Sequence, residues 1–137
     1  MPSPARSASA LTMLLAQRLP AIPSPAEVMT VVVELPPGDP GTPPHRHSGP
    51  VFGYMLQGEM TFEIEGEPAR VIRAGEAFWE PGGGVIHYQA ANHLRDAWSR
   101  FVVVMVGIPG EPMLTLVSAD ELEQRRGRPA SAPPRPR

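Results

Sequence analysis

Between residues 28 and 117, glycine and proline cut the chain into short segments, and most of those segments have strand chemistry. Residues 28–34 (VMTVVVE) are rich in β-branched side chains and stop at Pro36-Pro37-Gly38, a turn signal. Val51–Gln57 stops at Gly58. Residues 60–65 (MTFEIE) alternate, which puts Met60, Phe62 and Ile64 on one face, and Gly66-Glu67-Pro68 then turns the chain. Further short strands are predicted at 69–73, 77–80 and 85–90, separated by Ala74-Gly75-Glu76 and Pro81-Gly82-Gly83-Gly84. Residues 101–107 (FVVVMVG) are apolar on both faces, as at the centre of a sandwich or at a subunit interface. Residues 113–117 form a last short strand. About eight or nine such strands with little helix restrict the chain to a sandwich or a closed barrel. The segments are too short and too polar for a membrane barrel.

Helix is predicted at one place. Ser118-Ala119-Asp120-Glu121 has the form of a capping box, with Ser118 at the cap and Glu121 three residues on. It opens a short helix over 119–126; the other helical candidate is 11–18. The expected organisation is an N-terminal extension over 1–26, partly disordered; a β-barrel over 27–118; the helix over 119–126; and a disordered Pro/Arg tail over 127–137.

Composition narrows the function classes. A chain of 137 residues, 42% of them apolar, is long enough for one domain with one core. A net charge of −2 argues against a nucleic-acid binder. The absence of cysteine excludes disulfides and thiolate metal sites. All 12 basic residues are arginine; the five after position 124 lie in a stretch without acids, read as a solvated terminus. No run approaches the ~20 apolar residues needed to span a membrane. The early LTMLLA is followed by Arg18 and prolines, without a clear small-residue cleavage site. A cytoplasmic protein with no membrane and no nucleic-acid partner is expected.

The four histidines lie between positions 45 and 93. Residues two apart on a strand share a face, so His45 and His47 point together, with Arg46 opposite, outward or in a salt bridge. His87 lies on a strand about 40 residues further on. Three neutral imidazoles from two strands facing a barrel interior make up half or more of a divalent-metal shell.

These residues resemble the cupins, small jelly-roll barrels. Gly41, His45-Arg46-His47 and Gly58 resemble the first cupin motif, and Gly75, Pro81, Gly82-Gly83-Gly84, His87 and Asn92 resemble the second. The resemblance covers residues from about 28 to 117. It implies an all-β, cupin-type double-stranded β-helix (jelly-roll) barrel with a short C-terminal helix. The chain departs from the pattern in the spacing of its first glycine, Gly38 or Gly41, and in Asn92, which follows His87 by five positions rather than four. The glutamate of the first motif falls on Val51, and the stretch from Pro81 to His87 is one residue longer than the second motif. The glycine-rich segment is expected to absorb that residue as a bulge.

The resemblance implies a divalent transition metal (Fe, Mn, Ni, Cu or Zn) at His45, His47 and His87. With Val51 in place of the glutamate, a three-histidine site is expected to leave two or three positions for water or substrate. Alternatively a fourth ligand comes from elsewhere, or the histidines serve only as hydrogen-bonding groups in an empty pocket. Gln57, Glu59, Glu80 and His93 are the candidates for a fourth ligand; Gln57 shares Val51's parity, and the other three read as solvated or loop residues. Val51, Met55 and Trp79 are expected to line a substrate pocket. The implied activity is metal-dependent chemistry on a small organic substrate, either dioxygenase-like, resembling the quercetin-dioxygenase-like bacterial cupins, or isomerase- or cyclase-like. The alternative is a non-catalytic sensor or small-molecule-binding cupin. A homodimer through the first strand or the FVVVMV strand is expected.

Overall fold

The structure, a computed structural model, describes residues 8–125; the expectations for 1–7 and 126–137 lie outside it. Nine strands and one helix follow in order: β1 (Glu27–Leu35), β2 (His45–Arg46), β3 (Val51–Gln57), β4 (Glu59–Ile64), β5 (Arg70–Arg73), β6 (Ala77–Glu80), β7 (His87–Asn92), β8 (Ser99–Gly107), β9 (Thr115–Leu116) and α1 (Ala119–Arg125). Residues 8–26 form no helix or strand. The 11–18 candidate fails because a single apolar run ahead of Pro20 is too short to offset helix nucleation.

The strands form two antiparallel sheets, β1-β8-β3-β6 and β5-β4-β7-β2-β9. Their inner faces enclose one core. Leu35, Val51, Met55, Phe78, Phe101 and Val103 come from the first sheet, and Met60, Phe62, Ile64 and Ile72 from the second. This is the jelly-roll barrel that the turn spacing requires.

The β8 segment, apolar on both faces, lies between β1 and β3. Phe101 and Val103 enter the core, while Val102 and Val104 face outward, half-buried. Next to them the outward Phe52 stacks on Trp79 with ring centroids 6.1 Å apart. The β3–β8 register shifts between Met55 and Gln57. That irregularity breaks the alternation, so Gln57 is exposed rather than inward.

The helix begins as its capping residues predict, with the Glu121 backbone N–H donating to Ser118 Oγ at 3.1 Å. Arg46, the outward residue between two histidines, makes a two-pronged ion pair with Glu121, and Arg125 pairs with Glu65. These pairs hold α1 across β2 and the end of β4.

Candidate metal centre

His45 and His87 stand directly opposite each other in the β2–β7 pair. His47 follows two residues after His45. The ring nitrogens of the three lie within 4.8 Å of one another, and all three residues are buried. Two of the rings are oriented by the backbone. His45 Nδ1–H donates to the Pro43 carbonyl and His47 Nδ1–H to the Met113 carbonyl, each at 2.8 Å. In a neutral imidazole this leaves Nε2 with a free lone pair, the state a metal ligand needs.

The turn before His87 is built from glycines. Gly82 and Gly83 have φ of 75° and 64°. A side chain at Gly82 would place its Cβ 2.0 Å from the Gly49 carbonyl oxygen, so the chains meet closely there. The Gly83 N–H donates to the His47 carbonyl at 2.8 Å, which ties the turn to the other histidine strand. At the far end of β7, buried Asn92 fixes the strand. Its Nδ2 donates to the carbonyls of Leu35, Pro36 and Ala97, and its Oδ1 accepts from the Leu94 N–H and the Ser99 hydroxyl.

A carboxylate stands beside the imidazoles. Glu80 is 2% exposed. Its Oε2 lies 2.9 Å from His87 Nδ1 and 3.5 Å from His47 Nε2. Burial pushes its pKa up, but contact with His47 and His87 outweighs this and holds it at about 2. Burial acts on His47 in the opposite direction, downward; the contact and charge of Glu80, with the bond to Met113, reverse that, and its net shift is upward. His45 is taken down to about 4, chiefly by burial, against its bond to Pro43.

The cluster opens on a cavity of about 140 Å³. Thr42, Glu80 and the three histidines are its polar groups; Val33, Val51, Phe78, Phe101 and Met105 are among its apolar walls. Two residues expected there are elsewhere. Met55 is in the core, fully buried, away from the cavity. Trp79 is on the outer face against Phe52, because Phe78 and Glu80 are the inward pair of β6. The placements of Trp79 and Glu80 share one cause. In Ala77-Phe78-Trp79-Glu80 either aromatic is able to face the core, and choosing Trp79 turns Glu80 out to solvent. The signal that decides the parity is the register of β6 on β3, where Glu80 pairs with Val51 and Phe78 with Gly53. Gly53 leaves the space that the Phe78 ring fills. The other fourth-ligand candidates are outside the cavity. Glu59 stands 3.9 Å from Arg73 and His93 is exposed, its ring bonded to Thr61.

The protein is a small β-barrel carrying three buried imidazoles on its inner wall. The chain belongs to the cupin domain family, which matches residues 31–104. Solved structures of similar fold include a double-stranded β-helix protein from Klebsiella pneumoniae, 22% identical over 66% of this chain and 75% of that one, with a TM-score of 0.51. The DMSP lyase DddQ from Ruegeria pomeroyi is 26% identical over 66% of this chain and 43% of that one, with a TM-score of 0.54. An oxalate oxidase in complex with the substrate analogue glycolate is 26% identical over 72% of this chain and 56% of that one, with a TM-score of 0.55. The chain thus spans less than two thirds of the lyase and of the oxidase. A comparison with curated proteins finds no match. No helix among the described residues is long and apolar enough to cross a membrane.

Proposed function

We propose that this cupin is a metal-dependent enzyme acting on a small organic molecule, with His45, His47 and His87 holding a divalent transition ion. The observation that carries the reading is His87. It is 4% exposed; its Nε2 has no hydrogen-bond partner, and its Nδ1 meets Glu80 Oε2 at 2.9 Å. A buried polar group left so costs about 1–3 kcal/mol, and a coordinated ion removes that cost. The lone pairs freed at His45 and His47 complete the donor set.

When bound, the ion supplies Lewis acidity and a template for an enolate- or carboxylate-type substrate. The chain does the rest. Pro43 and Met113 keep the two rings in the ligating tautomer. The apolar walls exclude water and so strengthen the electrostatic contacts inside. The cavity volume limits the substrate: about 140 Å³ is well below the roughly 300 Å³ at which pockets for drug-sized ligands begin. A few-carbon acid or diketone fits, and a polycyclic flavonol does not. The oxidase that resembles this chain holds glycolate, a ligand of that size. Dioxygenase-like conversion of such a substrate is the reaction class we favour, ahead of isomerisation or cyclisation.

The test is metal content and turnover together. Wild-type protein is expected to hold near one equivalent of one transition metal and to convert members of a panel of small acids and diketones in air. Metal without turnover would favour a binding or sensor role. No metal after incubation with Fe(II), Mn(II), Ni(II), Cu(II) and Zn(II) would overturn the reading.

We also propose a homodimer through the outer face of the β1-β8-β3-β6 sheet. Val32, exposed there, adjoins Val102, Val104, Phe52 and Tyr54 as a continuous apolar surface. Val104→Asp is expected to leave a monomer in sedimentation velocity.

A further inference from the structure

We infer that Glu80 is the fourth protein ligand, supplied from the strand next to the one on which the cupin pattern places its glutamate. The inference rests on the metal reading above and deepens it.

Three observations carry it. The first is register. Val51, where the first motif would have its glutamate, pairs directly with Glu80 across β3 and β6. Both side chains are inward, 1% and 2% exposed, and both line the same cavity. A carboxylate moved from one member of a cross-strand pair to the other stays within about 5 Å, a shift that a glutamate's reach covers.

The second is distance. Donors around an ion at about 2.1 Å stand roughly 3.0–3.4 Å apart in octahedral or tetrahedral order. Glu80 Oε2 lies 2.9 Å from a nitrogen of His87 and 3.5 Å from one of His47. Both lie within about 0.1 Å of that range.

The third is charge. An ionised carboxylate at 2% exposure needs a compensating cation. The ion-pair partners of Glu80 are His47 and His87, and no arginine lines the cavity. A divalent ion compensates fully and leaves the site at about one positive charge, suited to a monoanionic substrate.

The experiment compares four proteins, each stripped of metal and checked for folding by circular dichroism: wild type, Glu80→Gln, His47→Ala, and the exchange Val51→Glu/Glu80→Val. Affinities for Co(II) and Zn(II) are measured by chelator competition, and the Co(II) visible spectrum is recorded. Glu80→Gln is expected to bind at least about 100-fold more weakly, beyond the ~10–100-fold loss of an outer hydrogen-bonding partner, with a changed Co(II) spectrum. His47→Ala is expected to lose binding. The exchange, which returns the carboxylate to the other strand of the pair, is expected to recover affinity to within about tenfold of wild type. If Glu80→Gln binds like wild type with an unchanged spectrum while His47→Ala does not bind, the ligand role of Glu80 is overturned and the three-histidine reading stands. If wild type binds neither ion, both fall. An exchange variant that fails to fold leaves the decision with the Glu80→Gln affinity and spectrum.

Discussion

Two cross-strand pairs face each other over the cavity, and they differ in how they are built. His45 and His87 are opposite in one sheet; Val51 and Glu80 are opposite in the other. The first pair puts the same side-chain type on both strands, each placed by its own local pattern. The second pair divides its chemistry: one strand carries a valine that packs, the other a carboxylate that is charged. In the proposed metal site the histidine pair needs both of its positions. A pair with one ligand and one packing residue leaves free which strand carries the ligand, since the two Cβ atoms look into the same space. One turn joins the two pairs, running from Glu80 to His87 through Pro81-Gly82-Gly83-Gly84.

Removing the histidine pair does the most damage. His45→Ala/His87→Ala is expected to abolish metal binding, a loss of more than about 1,000-fold in affinity, read by elemental analysis of the purified protein. Next is the anchor of the His87 strand. Asn92→Ala strips partners from several buried backbone groups and is expected to cost about 3 kcal/mol in urea unfolding, with metal stoichiometry kept, because the residue positions β7 without touching the cavity. The turn that joins the pairs comes third. Gly82→Ala meets the Gly49 carbonyl and a positive φ, for about 2 kcal/mol and weaker metal binding. Gly83→Ala, with open space around it, is expected to cost only about 1 kcal/mol. The smallest effect is on the outer side of β2. Arg46→Met removes a partly exposed ion pair with Glu121 and is expected to leave the urea midpoint nearly unchanged, with any difference shrinking at high salt.

The histidine pair was legible residue by residue. His-x-His on a strand needs only the two-residue period to put both rings on one face, and His87 needs only a strand and a turn able to take up one residue. Glu80 was visible as a candidate and misplaced as a solvated residue. A four-residue strand with adjacent aromatics has no local preference for either face, so the same choice that brings Trp79 inward sends Glu80 out. Gln57 fails for the opposite reason: its parity is clear, but an irregularity after Met55 interrupts it.

The elements whose causes are local can be read from the chain alone. These are strands bounded by glycine and proline, the cap at Ser118, the paired histidines and the absence of thiolate chemistry. Only the tertiary structure decided which face of β6 is inward, that Val51 and Glu80 are partners, and that Trp79 belongs to the outer surface. Those facts depend on hydrogen-bond register between strands that are 20 or more residues apart. Register is set by how the whole barrel packs, with Gly53 making room for Phe78, and no short stretch of the chain contains it.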